Sequence, residues 1–306
     1  MRIAIMGSGG LGGYFGARLC ASDADVQFIA RGRHLAAMQA DGLRIEGPEP
    51  LHIPQVNATD DPARVGVVDV VMINVKLWDT EAVLAQIRPM VGPDTAIVSF
   101  QNGVLKDRYL RAAYDESQIM GGVGYIAAAI DRPGVIRQTG TLHRLVFGEF
   151  DGTRSARGLA LLAACKAGGI NAELSENIER EIWQKYVFLV ALFGTTTTIR
   201  KPIGPIRENP QTRALLHDLM QEVVAVGRAH GADLPADYAD ARLKLADDVA
   251  YDMTSSMHHD LEGGRPLEVR WLAGGVVELG QAKGVPTPLN RAVADILALH
   301  ANGQNK

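Results

Sequence analysis

Lys185 is the residue of this chain best suited to donate a proton in a reaction. It lies in the segment Glu181–Tyr186, beside Trp183 and one helical turn before Leu189, on a face that is otherwise apolar. Burial next to aromatic side chains lowers the pKa of a lysine towards the range that is useful for proton donation. The commoner situation is a lysine that extends its ammonium from a helix into water. The local sequence leaves both interpretations open.

A glycine-rich loop near the start of the chain has the residue types that bind phosphate. The loop Gly7-Ser8-Gly9-Gly10-Leu11-Gly12 follows a short apolar run, Arg2–Met6, and leads into a helical pattern, Tyr14–Cys20. In a G-x-G-x-x-G loop the first glycine makes a tight turn, the second lets backbone N–H groups approach a pyrophosphate, and the third packs the helix against the strand. Glycine-rich turns also occur as structural connections that bind no ligand. The strand before the loop and the helix after it favour a dinucleotide site.

Arg31 follows the second apolar run, Val26–Ala30, where chains that bind NAD usually carry Asp or Glu. A guanidinium attracts the 2′-phosphate of NADP, whereas a carboxylate repels it. The sequence therefore favours NADP(H) over NAD(H). The alternative is that Arg31 and Arg33 are two solvated arginines at the start of a helix.

Two further polar residues follow buried strands. The apolar run Val67–Val75 ends at Lys76, and the strand Thr95–Phe100 is followed by Asn102. Ligands of doubly wound sheets bind at the carboxyl ends of the strands, so Lys76 and Asn102 are expected on the same edge as the glycine loop and Arg31. Taken singly, each is better explained as a loop lysine or an Asn-Gly turn, but polar groups at four successive strand ends together favour a binding edge.

The pattern of elements predicts two domains. Residues 1–174 alternate strands and helices, as in a Rossmann-type doubly wound α/β sheet, and residues 175–306 are all-helical. Near the end of the first domain, a hairpin is predicted with its turn around Gly140, followed by a helix, Ser155–Ala167, and a strand, Ile170–Leu174. The predicted helices of the second domain are Ile178–Thr195, Thr212–His230, Ala236–Asp252, Leu267–Lys283 and Pro288–His300.

Composition excludes several classes of function. The 306 residues are 47% hydrophobic and 22% charged, which is ordinary for a globular chain of two domains. A net charge of −4 argues against a general binder of nucleic acid or anionic membranes, and no run approaches the ~18 apolar residues of a membrane span. The first strand begins beside Met1 and leaves no room for a signal peptide, so we expect a cytoplasmic protein. Cys20 and Cys165 are predicted to be free thiols, no metal site is indicated, and the expected partner is a small molecule, with a homodimer left open.

The order and spacing of these motifs resemble the ketopantoate reductase family (2-dehydropantoate 2-reductases) over nearly the whole chain. The matching features are the Gly7–Gly12 loop, Arg31, Val75-Lys76, Asn102-Gly103, Trp183-Gln184-Lys185, Ser255-Ser256-Met257, Glu268 and Gly284-Val285-Pro286-Thr287-Pro288.

The resemblance implies a fold and a role for each matching residue. It implies an NADPH-binding Rossmann domain followed by a helical domain like that of 6-phosphogluconate dehydrogenase. It also implies that Lys185 is the general acid and that Glu268 contacts the cofactor near the reacting carbon and assists Lys185. Lys76 and Asn102 would then line the cofactor and the substrate, and Ser256 would bind the substrate. This set fits hydride addition to a carbonyl, where an ammonium stabilises and protonates the developing alkoxide.

Three positions depart from the family pattern. Leu189, Phe193 and Ile203 stand where the family has asparagines. Either Thr195–Thr198, Arg200 or Lys201 supplies the missing polar contacts, or the substrate is more apolar than ketopantoate. We predict NADPH-dependent reduction of a 2-oxo acid, first of all 2-dehydropantoate to (R)-pantoate in pantothenate biosynthesis. The alternatives are a reductase of another 2-oxo or 3-oxo acid and a non-catalytic NADP(H)-binding sensor.

Overall fold

A computed structural model of the chain describes residues 1–304, which form two compact units. The first unit contains Met1–Gln101 and Lys106–Glu181, and the second contains Asn102–Leu105 and the chain from Ile182 onwards. The first unit holds all ten strands of a mixed sheet, and the second is helical. The predicted fold class, an α/β part followed by a helical part, is confirmed.

The strands of the first unit alternate in sequence with five helices. Its strands are β1 (Arg2–Met6), β2 (Asp25–Ile29), β3 (Leu43–Glu46), β4 (Leu51–Ile53), β5 (Asn57–Thr59), β6 (Val70–Ile73), β7 (Ala96–Ser99), β8 (Ile119–Arg132), β9 (Val135–Gly148) and β10 (Asn171–Leu174). Its helices are α1 (Gly10–Cys20), α2 (Gly32–Asp41), α3 (Thr80–Gln86), α4 (Lys106–Ala113) and α5 (Ala156–Ala167).

Six parallel strands form the nucleotide-binding type of sheet. They lie in the order β5-β2-β1-β6-β7-β8, which is the order 3-2-1-4-5-6 of a Rossmann fold. Every residue of β6 and β7 is buried, as expected of parallel strands covered on both faces. This order places the loops after β1, β2 and β6 side by side at one edge of the sheet.

Beyond β8 the sheet continues and curls around α1. An antiparallel partner, β9, follows β8, and then β3 and β4 complete this side. Helix α1 packs against β1 and β2 at one end of the sheet and against β8, β9, β3 and β4 at the other. The close approach depends on glycine, because a Cβ atom at Gly10 would collide with the Ala128 carbonyl of β8 and one at Gly13 would lie 2.9 Å from the Ile136 side chain of β9.

The predicted hairpin around Gly140 is wrong. Strand β9 runs through this position, and the chain reverses at Pro133-Gly134 between β8 and β9, where Gly134 has φ +77°. Gly140 also has a positive φ, +70°, but it lies where the β8–β9 register shifts between the pairs Ile126–His143 and Ala127–Thr139. Its conformation therefore allows a β-bulge, in which extra residues of β9 are left unpaired while the strand continues in the same direction.

Seven helices carry most of the second unit. They are α6 (Ile178–Ile199), whose first turn belongs to the first unit, α7 (Ile203–Glu208), α8 (Pro210–Ala229), α9 (Tyr238–Asp248), α10 (Ser256–Glu262), α11 (Ala273–Lys283) and α12 (Pro288–Leu297). The predicted single helix 267–283 is wrong, because Glu268–Arg270 is a separate 3₁₀ turn before α11. Helices α7 and α10, which the pattern did not predict, have only six and seven residues.

The two cysteines agree with a smaller expectation. Cys20 and Cys165 are both free thiols, as predicted. Within residues 1–304, no helix is long and apolar enough to cross a membrane.

Candidate active site

The glycine loop after β1 has the backbone geometry of a phosphate-binding turn. Gly7 has φ +94°, a conformation that favours glycine, and a Cβ there would lie 2.7 Å from the Val75 side chain. A Cβ at Gly12 would collide with the Gly7 carbonyl oxygen. A Cβ at Gly9, in contrast, would meet no atom within 4 Å. Gly7 and Gly12 are therefore required by the fold, and Gly9 leaves open space above the loop.

Helix α1 begins directly after this open space. Its N-cap is Gly9, no side chain caps it, and its first turn carries no acidic residue. The N–H groups of Gly10, Leu11 and Gly12 have no acceptor within the helix, and the aligned peptide dipoles make this end partially positive. A helix start of this kind is suited to a phosphate group.

Ser8 serves the loop itself. It is buried, and its N–H and hydroxyl both donate to the Ile29 carbonyl, at 3.2 and 3.0 Å. The Gly7 N–H donates to the same oxygen at 3.2 Å. The N–H and hydroxyl of Ser8 thus tie the loop to the end of β2.

Arg31 and Lys76 follow the neighbouring strands, as the sequence predicts. Arg31 is exposed at the start of α2, and its guanidinium donates to Gln86 Oε1 at 3.1 Å. Among the described residues it forms no ion pair, so its charge is not neutralised by a carboxylate. Lys76 follows β6, and its ammonium lies 5.6 Å from the centre of the half-exposed Trp78 ring.

Asn74, which was not among the predicted site residues, directly follows β6. Its N–H donates to the Met6 carbonyl at 2.8 Å, so it stands where β1 and β6 end together. Its side-chain amide donates to the Met72 carbonyl at 3.0 Å, but its buried Oδ1 has no partner among the described residues. Its position at the polar end of a buried run, next to Val75-Lys76, is a signal that could have identified it.

These features fit a dinucleotide. The open space at Gly9, the uncapped start of α1 and the orphaned acceptor Asn74 Oδ1 lie on loops of adjacent strands. A buried acceptor without a donor is costly, so a ligand hydroxyl or amide that donates to it stabilises the complex. Within residues 1–304, no cluster of His, Cys, Asp or Glu could hold a metal ion.

The second unit brings two of the predicted site residues together, the general acid Lys185 and the substrate-binding Asn102. Lys185 lies in the second turn of α6, and its half-buried ammonium donates to Asn102 Oδ1 at 2.8 Å. Asn102 belongs to the short segment that follows β7, and Gly103, with φ +88°, turns the chain there. A Cβ at Gly103 would lie 3.5 Å from the ring of Tyr186, the neighbour of Lys185.

Tyr186 connects α6 to the segment that carries Glu268. Its buried hydroxyl lies 2.7 Å from the Leu272 carbonyl and 3.0 Å from the Trp271 carbonyl, and burial raises its pKa far above the usual range. The N–H groups of Trp271 and Leu272 both donate to the Glu268 carbonyl. Glu268 itself is only 4% exposed and begins a 3₁₀ turn. The ordering of this segment therefore depends on the residue next to Lys185.

Ser256 is exposed at the start of α10, and its neighbour Ser255 is the N-cap. Ser255 Oγ accepts from the His258 N–H at 3.0 Å and forms a hydrogen bond with Thr196 Oγ1 at 2.9 Å. His258 Nδ1 lies 2.7 Å from the Thr196 carbonyl. These contacts fix the start of α10 to the end of α6 and leave the Ser256 hydroxyl outside the network.

The residues that depart from the family pattern are mostly core. Ile203 is completely buried, whereas Leu189 and Phe193 keep 6% and 8% exposure on the same stretch of α6 as Lys185. Thr195–Thr197 are completely buried, so their hydroxyls are not available to a substrate. Of the suggested substitutes, Arg200 and Lys201 are exposed.

Known proteins resemble this chain over nearly its whole length. The family described as ketopantoate reductase PanE/ApbA matches residues 3–152, and its C-terminal part matches residues 177–301. A 2-dehydropantoate 2-reductase of Mesorhizobium japonicum is 34% identical over 315 residues, covering 96% of this chain and 95% of its own. An uncharacterized oxidoreductase of Bacillus subtilis, YkpB, is 33% identical over 302 residues, covering 96% of each chain.

The solved structures include a 2-dehydropantoate 2-reductase of Geobacter metallireducens, with a TM-score of 0.91, 28% identity, and coverage of 98% of this chain and 99% of that one. Both parts of the family are thus matched, and the structural similarity covers 98% of this chain. The chain belongs to the ketopantoate reductase family, a family of oxidoreductases.

Proposed function

We propose that this chain is an NADPH-dependent reductase of a 2-oxo acid, with 2-dehydropantoate, reduced to (R)-pantoate, as its first candidate substrate. The observation that carries the proposal is the hydrogen bond of 2.8 Å between Lys185 Nζ and Asn102 Oδ1 in a member of this family. A non-catalytic sensor needs the glycine loop but has no use for a positioned ammonium. We further propose that the protein is cytoplasmic, and a homodimer is left open.

The first unit provides the cofactor site in this proposal. The N–H groups at the start of α1 hold the pyrophosphate, and Arg31 binds the 2′-phosphate. Asn74 Oδ1 and Lys76 contact the remainder of the molecule near the ends of β1 and β6. When bound, the reduced nicotinamide supplies a hydride to the carbonyl carbon of the substrate.

Lys185 completes the reduction at the other atom of the carbonyl. Its ammonium donates a hydrogen bond to the carbonyl oxygen and stabilises the negative charge that develops there. It then transfers a proton to that oxygen, which yields the 2-hydroxy acid and a neutral amine that regains a proton from water. Asn102 accepts one of the three N–H groups of Lys185 and thereby fixes the direction of the other two. Glu268 contacts the cofactor and assists Lys185, and Ser256 binds the substrate.

A second substrate class is favoured by the surface of α6 beyond Lys185. One and two turns further along, the helix presents Leu189 and Phe193, whose side chains are apolar and retain slight exposure. A substrate whose carbonyl lies at Lys185 and whose tail extends along the helix meets hydrocarbon instead of hydrogen-bonding groups. This arrangement favours a 2-oxo acid with an aliphatic or aromatic tail.

The decisive experiment measures NADPH oxidation by the purified protein with a panel of carbonyl acids. The panel contains 2-dehydropantoate, short, branched and aromatic 2-oxo acids, and a 3-oxo acid. A specificity constant highest for 2-dehydropantoate by several orders of magnitude supports the first candidate, and a preference for apolar acids supports the second. Tight NADPH binding without turnover of any compound overturns the enzymatic proposal in favour of the sensor.

A further inference from the structure

The ring of His34 connects three segments around the glycine loop. His34 lies in the first turn of α2, and its Nε2 is 3.0 Å from the Ser8 carbonyl oxygen. Its Nδ1 accepts a hydrogen bond of 3.0 Å from the N–H of Gly134, in the turn between β8 and β9. The ring thus contacts the loop after β1, the helix after β2 and the β8–β9 hairpin.

These partners determine where the ring proton lies. A backbone N–H can only donate, so Nδ1 must carry a lone pair. The single proton of the neutral ring is then on Nε2, from which it is donated to the Ser8 carbonyl. The ring is half-buried, and burial lowers the pKa of His34 below its ordinary value, which agrees with a neutral imidazole.

The contact with Ser8 controls the peptide that follows it. The Ser8 carbonyl and the Gly9 N–H belong to one planar trans peptide, so they point in opposite directions. Because the carbonyl is held on His34, the Gly9 N–H is directed away from the ring. A peptide that precedes a glycine rotates easily, and the other polar groups of Ser8 are bound to Ile29. His34 therefore supplies the contact that fixes this orientation.

We propose that His34 is a positioning residue for dinucleotide binding, which holds the Ser8–Gly9 peptide so that the Gly9 N–H faces a phosphate of the pyrophosphate. This inference rests on the proposed function, because it assigns a ligand group to the same loop. The effect acts on affinity and not on the chemical step, since His34 itself touches only the backbone.

The test compares dissociation constants for NADPH, NADH and 2′-AMP in four proteins. His34→Phe keeps the size of the ring and removes both hydrogen bonds. His34→Gln restores a donor that can reach the Ser8 carbonyl. His52→Phe is the matched control, because His52 Nε2 also lies near a backbone carbonyl, that of Asp41 at 3.2 Å, but away from the loop.

We expect His34→Phe to bind both dinucleotides about ten-fold more weakly, the effect of losing one hydrogen bond, with kcat at saturating NADPH unchanged. Its affinity for 2′-AMP, which has no pyrophosphate, should match that of the wild type, and this shows that the fold is intact. His34→Gln should recover most of the lost affinity, and His52→Phe should lose none. In ¹⁵N NMR spectra of the wild type, the His34 ring should show a protonated Nε2 and an unprotonated Nδ1.

Several results overturn the inference. These are wild-type dinucleotide affinity in His34→Phe, an equal loss for 2′-AMP, no rescue by glutamine, or a proton on Nδ1. A wild-type protein that binds dinucleotides with this dependence on His34 but reduces no carbonyl acid contradicts only the proposed function. A protein that binds neither dinucleotide contradicts both.

Discussion

The two units carry their candidate functional groups in different ways. Around the first helix, the backbone provides the binding groups, because no side chain caps the start of α1 and Gly9 has open space around it. In the helical unit, a side chain provides the reactive group, and Asn102 holds the ammonium of Lys185 from a distant segment. A backbone site is damaged by adding atoms, and a side-chain site by removing them. Substitutions should therefore separate cofactor affinity from turnover.

The largest expected effect comes from removing the reactive group. Lys185→Ala should lower kcat by roughly 10²–10⁴-fold, the usual contribution of a positioned general acid. NADPH affinity and melting temperature should stay close to wild type, because Lys185 is only half-buried and is not part of the helical core. Steady-state kinetics, NADPH titration and thermal unfolding measure the three quantities.

Lys244→Ala is the control for this experiment, since Lys244 is an exposed lysine of α9 in the same unit. Near-normal turnover of Lys185→Ala together with a large fall in melting temperature would contradict the assignment of Lys185 as the reactive group. Lys185 would then be a structural helix residue.

Arg31→Ala should produce the next largest effect, and only on one cofactor. Loss of the contact with the 2′-phosphate should weaken NADPH binding by about 1.5–3 kcal/mol and leave NADH binding nearly unchanged. Titration with both cofactors measures the difference, and Arg64→Ala, an exposed arginine of the same unit, is the control. Equal losses for NADPH and NADH would show that Arg31 is structural.

Substitutions at two adjacent glycines of the loop, Gly9 and Gly10, should separate cofactor binding from stability. Gly10→Ala should lower the free energy of unfolding by about 1–3 kcal/mol, because the new Cβ collides with the Ala128 carbonyl. Gly9→Ala should leave it within about 0.5 kcal/mol of wild type, since Gly9 has open space and a φ of −73°, but it should weaken NADPH binding. Chemical unfolding without cofactor and NADPH titration measure both effects. If Gly9→Ala binds NADPH normally, the space above Gly9 is not where the pyrophosphate lies.

The smallest expected effect is a pH dependence of stability caused by His34. Its folded-state pKa lies below the ordinary value of 6.5, mainly because of burial, so the unfolded ring takes up a proton first as the pH falls. The stability that the neutral ring contributes is present above pH 6.5 and is lost as the pH falls from there towards the folded-state pKa. Unfolding free energies measured across this window should fall more steeply for wild type than for His34→Gln. Parallel curves would mean that His34 titrates alike in both states.

The sequence was most informative where the backbone restricts the residue type. Gly7 needs a positive φ and Gly12 needs the absence of a Cβ, so the motif is visible in the order of residues alone. Strand β8 shows the opposite case. Gly121 and Gly122 are unfavourable for a strand, and they are there because a Cβ would lie 2.7 Å from the side chains of Ile178 and Val98, respectively. The strand propensity of a residue does not depend on neighbours so distant in the sequence, so it could not predict these two glycines.

The candidate site residues, like the fold, could be predicted from the sequence only in part. The positions of Lys185 and Asn102 followed from a helix pattern, a strand end and the family resemblance, but their hydrogen bond joins residues 83 positions apart. The buried Glu268 was placed in a continuous helix because helical periodicity was extended through a segment that forms a 3₁₀ turn. His34 was missed because its role depends on hydrogen-bond partners that only the folded chain provides, whereas the place of Asn74 at the end of a buried run was a signal in the sequence.

The segment Asn102–Leu105 limits how this protein can be divided. It belongs to the helical unit although the chain on both sides of it belongs to the sheet unit. A fragment that starts at Ile182 retains Lys185 but loses its acceptor, and a chimera joined at the end of the sheet unit inherits an Asn102 from one parent and a lysine from the other. Lys185 and Asn102 thus cannot be exchanged together as one continuous segment. Recombination between relatives preserves their hydrogen bond only when both segments come from the same parent.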